Sequence, residues 1–260
     1  MLHTTHLQLA YGKRIIIEDL SIQGLVPGTV TALLGPNGSG KSTLLKALAG
    51  LLPIQAGHIV LNGQNLAQCS PAERARQLVY LPQSLPAEVH LRVMESVLVA
   101  ANASRLGNEQ TNLTTILELL DRLGIGGLAM HYLDQLSGGQ KQLVGLAQAL
   151  IRHPRLLLLD EPLSALDLNY QFHVMNLLRQ VTRDQGLITL IVLHDLNIAL
   201  RHSDHALLIQ HGTLLAQGRP EVVITTETLA QAYGVKARIE PCSRGTLRVL
   251  IDGLHATHHA

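Results

Sequence analysis

The chain has 260 residues, 47% of them hydrophobic, with 20 Lys and Arg against 19 Asp and Glu and a formal net charge of +1. That length and composition suit one large domain or two small ones with a substantial core, and exclude intrinsic disorder. The balanced charge offers no basic field for generic nucleic-acid binding, and two cysteines, Cys69 and Cys242, are too few for a disulfide framework.

The N-terminal stretch MLHTTHLQLAYGKR lacks the basic start and continuous apolar run of a signal peptide. Nowhere do eighteen apolar residues follow one another. The expectation is a cytosolic protein without its own anchor, able to dock on a membrane protein. Leu7, Leu9 and Tyr11 alternate, a Gly12-Lys13 turn follows, and Ile15 to Ile17 completes a predicted hairpin. Val30 to Leu34 reads as a short apolar strand that runs into a glycine-rich loop and then a helix from Ser42 to Ala49, stopped by Gly50. His58 to Leu61 is a strand before an Asn62-Gly63 turn. Ser70, Pro71 and Glu73 carry a helix-start signature: a capping hydroxyl, a first-turn proline and an acid three residues on. Val79 to Leu81 is a short strand ending at Pro82.

From Arg92 to Ile151 the period turns helical, with Ile116, Leu119, Leu120 and Leu123 on one stripe. Strands return at Leu156–Leu159, Ile188–Leu193, Ala206–Ile209 and Leu214–Ala216, with a helix from Leu168 to Arg183 between the first two. Strands alternating with helices predict a parallel α/β sheet, and the all-helical middle predicts an inserted subdomain. The His-rich tail from His255 reads as a frayed terminus or, as the minor alternative, a metal site.

Three segments carry chemistry. Gly35-Pro36-Asn37-Gly38-Ser39-Gly40-Lys41-Ser42-Thr43 fits the phosphate loop G-x-x-x-x-G-K-[ST]. Its glycines let backbone amides turn inward onto phosphate oxygens, the following helix offers its positive end, Lys41 adds a mobile cation, and Ser42 offers a hydroxyl to Mg²⁺. Leu156–Leu159 then delivers Asp160 and Glu161 to the carboxyl edge of a parallel sheet, Asp160 as a Mg²⁺ holder and Glu161 as the base that polarises water. Finally, Leu136-Ser137-Gly138-Gly139-Gln140 reads as a helix start, either a second anion site or an ordinary loop-to-helix junction.

The order GPNGSGKST, LPQ, LSGGQ, LLLLDEP, SALD, HD resembles the ATP-binding subunit of ABC transporters, from Tyr11 to about Gly234. The resemblance implies a P-loop NTPase, RecA-like α/β core (1–91 and 152–260) with an N-terminal antiparallel β-subdomain and an inserted helical subdomain (92–151). It implies ATP and Mg²⁺ as ligands and a head-to-tail homodimer. The phosphate loop would bind nucleotide in cis, and Ser137, Gly138, Gly139 and Gln140 would close on the γ-phosphate in trans. Tyr11 matches the adenine-stacking aromatic, Gln83 the glutamine that senses Mg²⁺ and water, Asp167 the loop that crosses to the second copy, and His194 the histidine that contacts the γ-phosphate. Many relatives carry Arg where this chain has Leu143 and Gln148, which implies altered packing with the hydrolytic residues kept.

Within that family, three phrases resemble the branch that energises uptake of ferric siderophores, haem and cobalamin: Ser70 to Leu78, Ser164 to Gln171, and His194 to Asp204. The implied partners are two membrane permease subunits and, indirectly, a substrate-binding protein, with the chain on the cytoplasmic face of the membrane. The alternatives are another metal importer, an exporter, or a soluble ABC ATPase without a permease.

Overall fold

The computed structural model describes residues 1–83, 90–103, 112–243 and 245–254. In chain order the elements are β1 (Leu2–Tyr11), β2 (Arg14–Leu25), β3 (Thr29–Leu34), α1 (Lys41–Ala49), β4 (Ala56–Leu61), β5 (Gln64–Asn65), α2 (Pro71–Gln77) and β6 (Leu78–Leu81). The middle of the chain supplies α3 (Val93–Asn102), α4 (Leu113–Arg122) and α5 (Gly138–Leu150). Next come β7 (Leu156–Leu159), α6 (Leu168–Gln185), β8 (Ile188–Val192), α7 (Leu196–His202), β9 (His205–Gln210) and β10 (Thr213–Gly218). The C-terminal part is α8 (Pro220–Val223), α9 (Thr226–Tyr233), β11 (Val235–Pro241) and β12 (Leu247–Leu254).

Six strands form the central sheet in the order β10-β9-β3-β8-β7-β6. The five strands from β9 to β6 run parallel, and β10 closes the edge antiparallel to β9. The strand expected at Leu214–Ala216 is thus the one departure from a parallel sheet, because a tight turn at His211-Gly212 folds it straight back. The predicted hairpin is the β1–β2 pair, which joins β4 and β5 in a separate four-stranded sheet.

Side chains along the central strands alternate between two apolar layers. Val30, Ala32, Leu34, Leu157, Leu159 and Leu208 face the layer built from α3 to α6. Leu33, Leu156, Leu158, Leu207 and Ile209 face the layer shared with α1 and the β1–β2 pair. A sheet covered on both faces explains why its strands read as near-continuous apolar runs. The Ser70 start signature is a complete capping box, with Glu73 N–H donating to Ser70 Oγ and Ser70 N–H to Glu73 Oε2. Among the described residues no helix is long and apolar enough to cross a membrane. The His-rich tail lies outside the described residues.

Candidate nucleotide site

Parallel strands bring all their carboxyl ends to one edge. In register, Leu81 pairs Leu159, Leu159 pairs Ile191, and Leu33 pairs Val192. The residues next in sequence, Gln83, Asp160, Glu161, His194 and the loop from Gly35, are therefore delivered side by side. Gln83, Glu161 and His194 line a cleft of about 560 Å³ together with Tyr11, Asn37, Gly38, Gly40, Lys41, Ser42 and Thr43, and Asp160 adjoins it through its hydrogen bond with Ser42.

The loop itself is held tightly. Gly35 has φ +146°, and a Cβ there would lie 2.1 Å from the Ile209 carbonyl oxygen, so only glycine fits. The buried Lys41 ammonium donates to the carbonyls of Gly35 (2.7 Å) and Pro36 (2.9 Å). Burial lowers its pKa, opposed by the negative charges of Glu161 and Asp160. Ser39 is buried, and its hydroxyl has no hydrogen-bond partner among the described residues.

Asp160 is 3% exposed, and both its oxygens are engaged: Ser42 Oγ donates to one and Tyr80 Oη to the other, each at 3.0 Å. Burial, reinforced by the Asp160 charge, raises the Tyr80 pKa well above its ordinary value, which keeps it a donor. A buried carboxylate beside a hydroxyl is the hard oxygen donor set that suits Mg²⁺, so these residues fit that ion.

Glu161 bridges the mouth of the cleft. Gln83 Nε2 lies 2.7 Å from one carboxylate oxygen and His194 Nε2 2.7 Å from the other. Its backbone sits at φ +53°, a left-handed conformation of the kind that costs about 1–3 kcal/mol in a non-glycine residue. Its carbonyl accepts from the Ser164 amide, the Ser164 hydroxyl and Gln142 Nε2, which fixes that conformation.

The predicted helix start at Ser137 lies elsewhere. Ser137 caps α5 in a reciprocal box with Gln140, and a Cβ on Gly139 would come 2.7 Å from the Ala165 carbonyl oxygen. Ser137, Gly139, Gln140 and Asp167 line a second cleft of about 450 Å³, while Asp167 caps α6 through the Tyr170 amide. Gly138 opens α5 between Ser137 and Gly139. One copy of the chain therefore does not bring these five residues into the cleft that holds the phosphate loop. Leu143 is buried in the core.

Sequence reasoning passed over Tyr80, Gln142 and Tyr233. Tyr80 is the only residue of β6 with a hydrogen-bonding side chain. Gln142 is a polar residue 7% exposed on an otherwise apolar helix face, and that mismatch was the available signal. Tyr233 gives no local signal; its hydroxyl reaches the Gly35 amide across 198 residues of chain.

The profile of the ABC transporter family matches residues 18–164. The chain is 37% identical over 248 residues to the "Hemin import ATP-binding protein HmuV" of Hahella chejuensis, covering 93% of this chain and 95% of that one. It is also 37% identical over 243 residues to the "Iron(3+)-hydroxamate import ATP-binding protein FhuC" of Bacillus subtilis, covering 92% and 89%. Among solved structures, the ADP conformation of an ATP-binding cassette of an ABC transporter superposes with a TM-score of 0.77 at 25% identity, covering 90% of this chain and 98% of that one.

Proposed function

The chain belongs to the ABC transporter family, and from that premise we propose that it is the ATP-hydrolysing subunit of an importer whose cargo is an iron chelate of the ferric siderophore, haem or cobalamin type. The observation that carries the ATPase reading is the convergence of the phosphate loop, Glu161, Gln83 and His194 on one cleft, with Asp160 bonded to Ser42 beside it. The cargo class is supported by the hemin and iron-hydroxamate importers that the chain resembles over nine-tenths of its length.

In this reading the amides from Gly38 to Thr43 and the Lys41 ammonium hold the phosphates, and Tyr11 stacks on the base. Ser42 and Asp160, with Gln83 at the rim, would hold Mg²⁺, which supplies neutralisation of phosphate charge. Glu161 accepts the proton of the attacking water, so one of its oxygens must leave Gln83 or His194 when nucleotide arrives. His194 then turns to the γ-phosphate.

The second cleft fits a shared site. Ser137 to Gln140 offer a capped helix N-terminus, and Asp167 lies beside it, but neither reaches the phosphate loop of its own chain. A second copy, packed head to tail, places that N-terminus on the γ-phosphate. Closure swings the helical subdomain (92–151) against the core (1–91 and 152–260) and passes the motion through the Gln83 region to two permease subunits on the cytoplasmic face of the membrane.

The test is co-purification. The tagged chain, extracted from native membranes in mild detergent, should bring down a polytopic permease in equal amount, and the ATPase rate of that complex should rise with a binding protein loaded with ferric siderophore or haem. A clean soluble homodimer, or a ribosomal or nucleic-acid partner, would contradict the transport reading.

A further inference from the structure

The segment after β9 touches the phosphate loop at one place and the helix that follows His194 at another. At the first, Tyr233, the last residue of α9, accepts a hydrogen bond from the Gly35 amide at 2.9 Å. The same loop is held by the Gly212 amide, which donates to the Ser39 carbonyl at 3.1 Å, and by the Ile209 carbonyl packed against Gly35. At the second, Asn197 on α7 clasps the backbone of β12. Its Oδ1 accepts from the Val249 amide at 2.8 Å, and its Nδ2 donates to the Val249 carbonyl at 3.4 Å. Asn197 stands three residues after His194, and Asp195 caps the helix between them by accepting from the Asn197 and Ile198 amides. Val249 is buried in the same apolar layer as Ile198 and Ala199, so β12 and α7 cannot shift independently.

We propose that the stretch from α9 to β12 is a positioning device for the nucleotide site: Tyr233 fixes the entry to the phosphate loop, and Asn197 ties the helix behind His194 to the C-terminal hairpin. The inference rests on the ATPase reading and adds two positioning residues to it. Gly35 is where the chain leaves β3 and turns into the loop, so its amide direction sets where the following amides point. Burial pushes the Tyr233 phenol up to about 12, so it remains an intact hydroxyl at any working pH. Without this acceptor the Gly35 amide loses its partner, the free loop samples other conformers, and nucleotide binding must pay the reordering. Asn197 acts through α7. Freed from β12, α7 can tilt, and His194 moves with it.

The two residues predict different kinetic signatures. In the full-length chain, Tyr233→Phe should weaken binding of fluorescent ATP about tenfold with kcat little changed. Asn197→Ala should lower kcat about tenfold with ATP affinity within about twofold. Asn197→Asp keeps the acceptor for the Val249 amide but sets a carboxylate oxygen against the Val249 carbonyl where Nδ2 donated, and should lower kcat as Asn197→Ala does. Each half stands on its own variant. A Tyr233→Phe protein that melts lower but binds ATP as the parent does would overturn the first, and an Asn197→Ala or Asn197→Asp protein that melts lower but keeps parental kcat would overturn the second. A parent chain that binds no ATP would instead remove the ATPase reading beneath both.

Discussion

The side-chain amide of Gln142 donates to the backbone carbonyl of Glu161 at 3.2 Å, tying the helix that opens at Ser137 to a residue held at φ +53°. The same side chain donates to Ser164 Oγ at 3.0 Å and accepts from the Ala165 amide at 3.1 Å. One buried glutamine thus connects α5, the Glu161 carbonyl and the loop that leads to Asp167.

Gln142→Ala leaves those three partners without it inside the protein, which costs about 1–3 kcal/mol of stability. Relaxation of the Glu161 backbone should lower kcat about tenfold while ATP affinity changes little. Thermal melting together with steady-state ATPase assays reads both. A variant that is destabilised but turns over normally would show that the connection is structural only.

Tyr80→Phe removes the donor to the second oxygen of Asp160. The carboxylate then rotates freely about its bond to Ser42, and the Mg²⁺ concentration for half-maximal turnover should rise several-fold. Nucleotide binding measured in excess chelator should be unchanged, because the loop amides and Lys41 are untouched.

Lys41→Ala deletes an ammonium that donates to the Gly35 and Pro36 carbonyls and lines the cleft. Charge-assisted contacts to phosphate are the strong ones, so ATP affinity should fall by about tenfold or more. Isothermal titration checks it. Parental affinity would contradict the phosphate-loop assignment.

His202 is 3% exposed, neither of its ring nitrogens has a hydrogen-bond partner among the described residues, and it packs edge-on to Phe172. Burial first, then the charges of Arg179 and Arg201, depress its pKa to about 4. A histidine with a depressed folded pKa binds its proton more readily when unfolded, so it takes stability away as pH falls from about 6.5 toward 4, by at most about 3 kcal/mol. Denaturation midpoints at pH 7 and pH 5 should converge in His202→Leu relative to the parent. An unchanged difference would place the pH dependence on other groups.

How much of this was legible in the chain depends on range. The phosphate loop, the acids after Leu156–Leu159 and the helix starts at Ser70 and Ser137 are local patterns, set by backbone chemistry within a few residues, and the structure has each where the pattern lies. The antiparallel return of β10 was not read, although the short His211-Gly212 connection leaves no room for a parallel crossover. Nor were the contacts of Tyr80, Gln142 and Tyr233, which join residues 80, 19 and 198 positions apart. The second cleft explains a further limit: Ser137 and Asp167 carry a local capping pattern, and nothing local says which phosphate they meet.

The central claim is that two copies share each ATP between the phosphate loop of one and the Ser137 helix start of the other. Glu161→Gln tests it most directly, because it keeps the size of the side chain while removing the base. In multi-angle light scattering at saturating ATP and Mg²⁺ the variant should run at twice the monomer mass, with turnover nearly abolished, and return to monomer when ATP is removed. A variant that binds ATP and stays monomeric throughout would contradict the shared site.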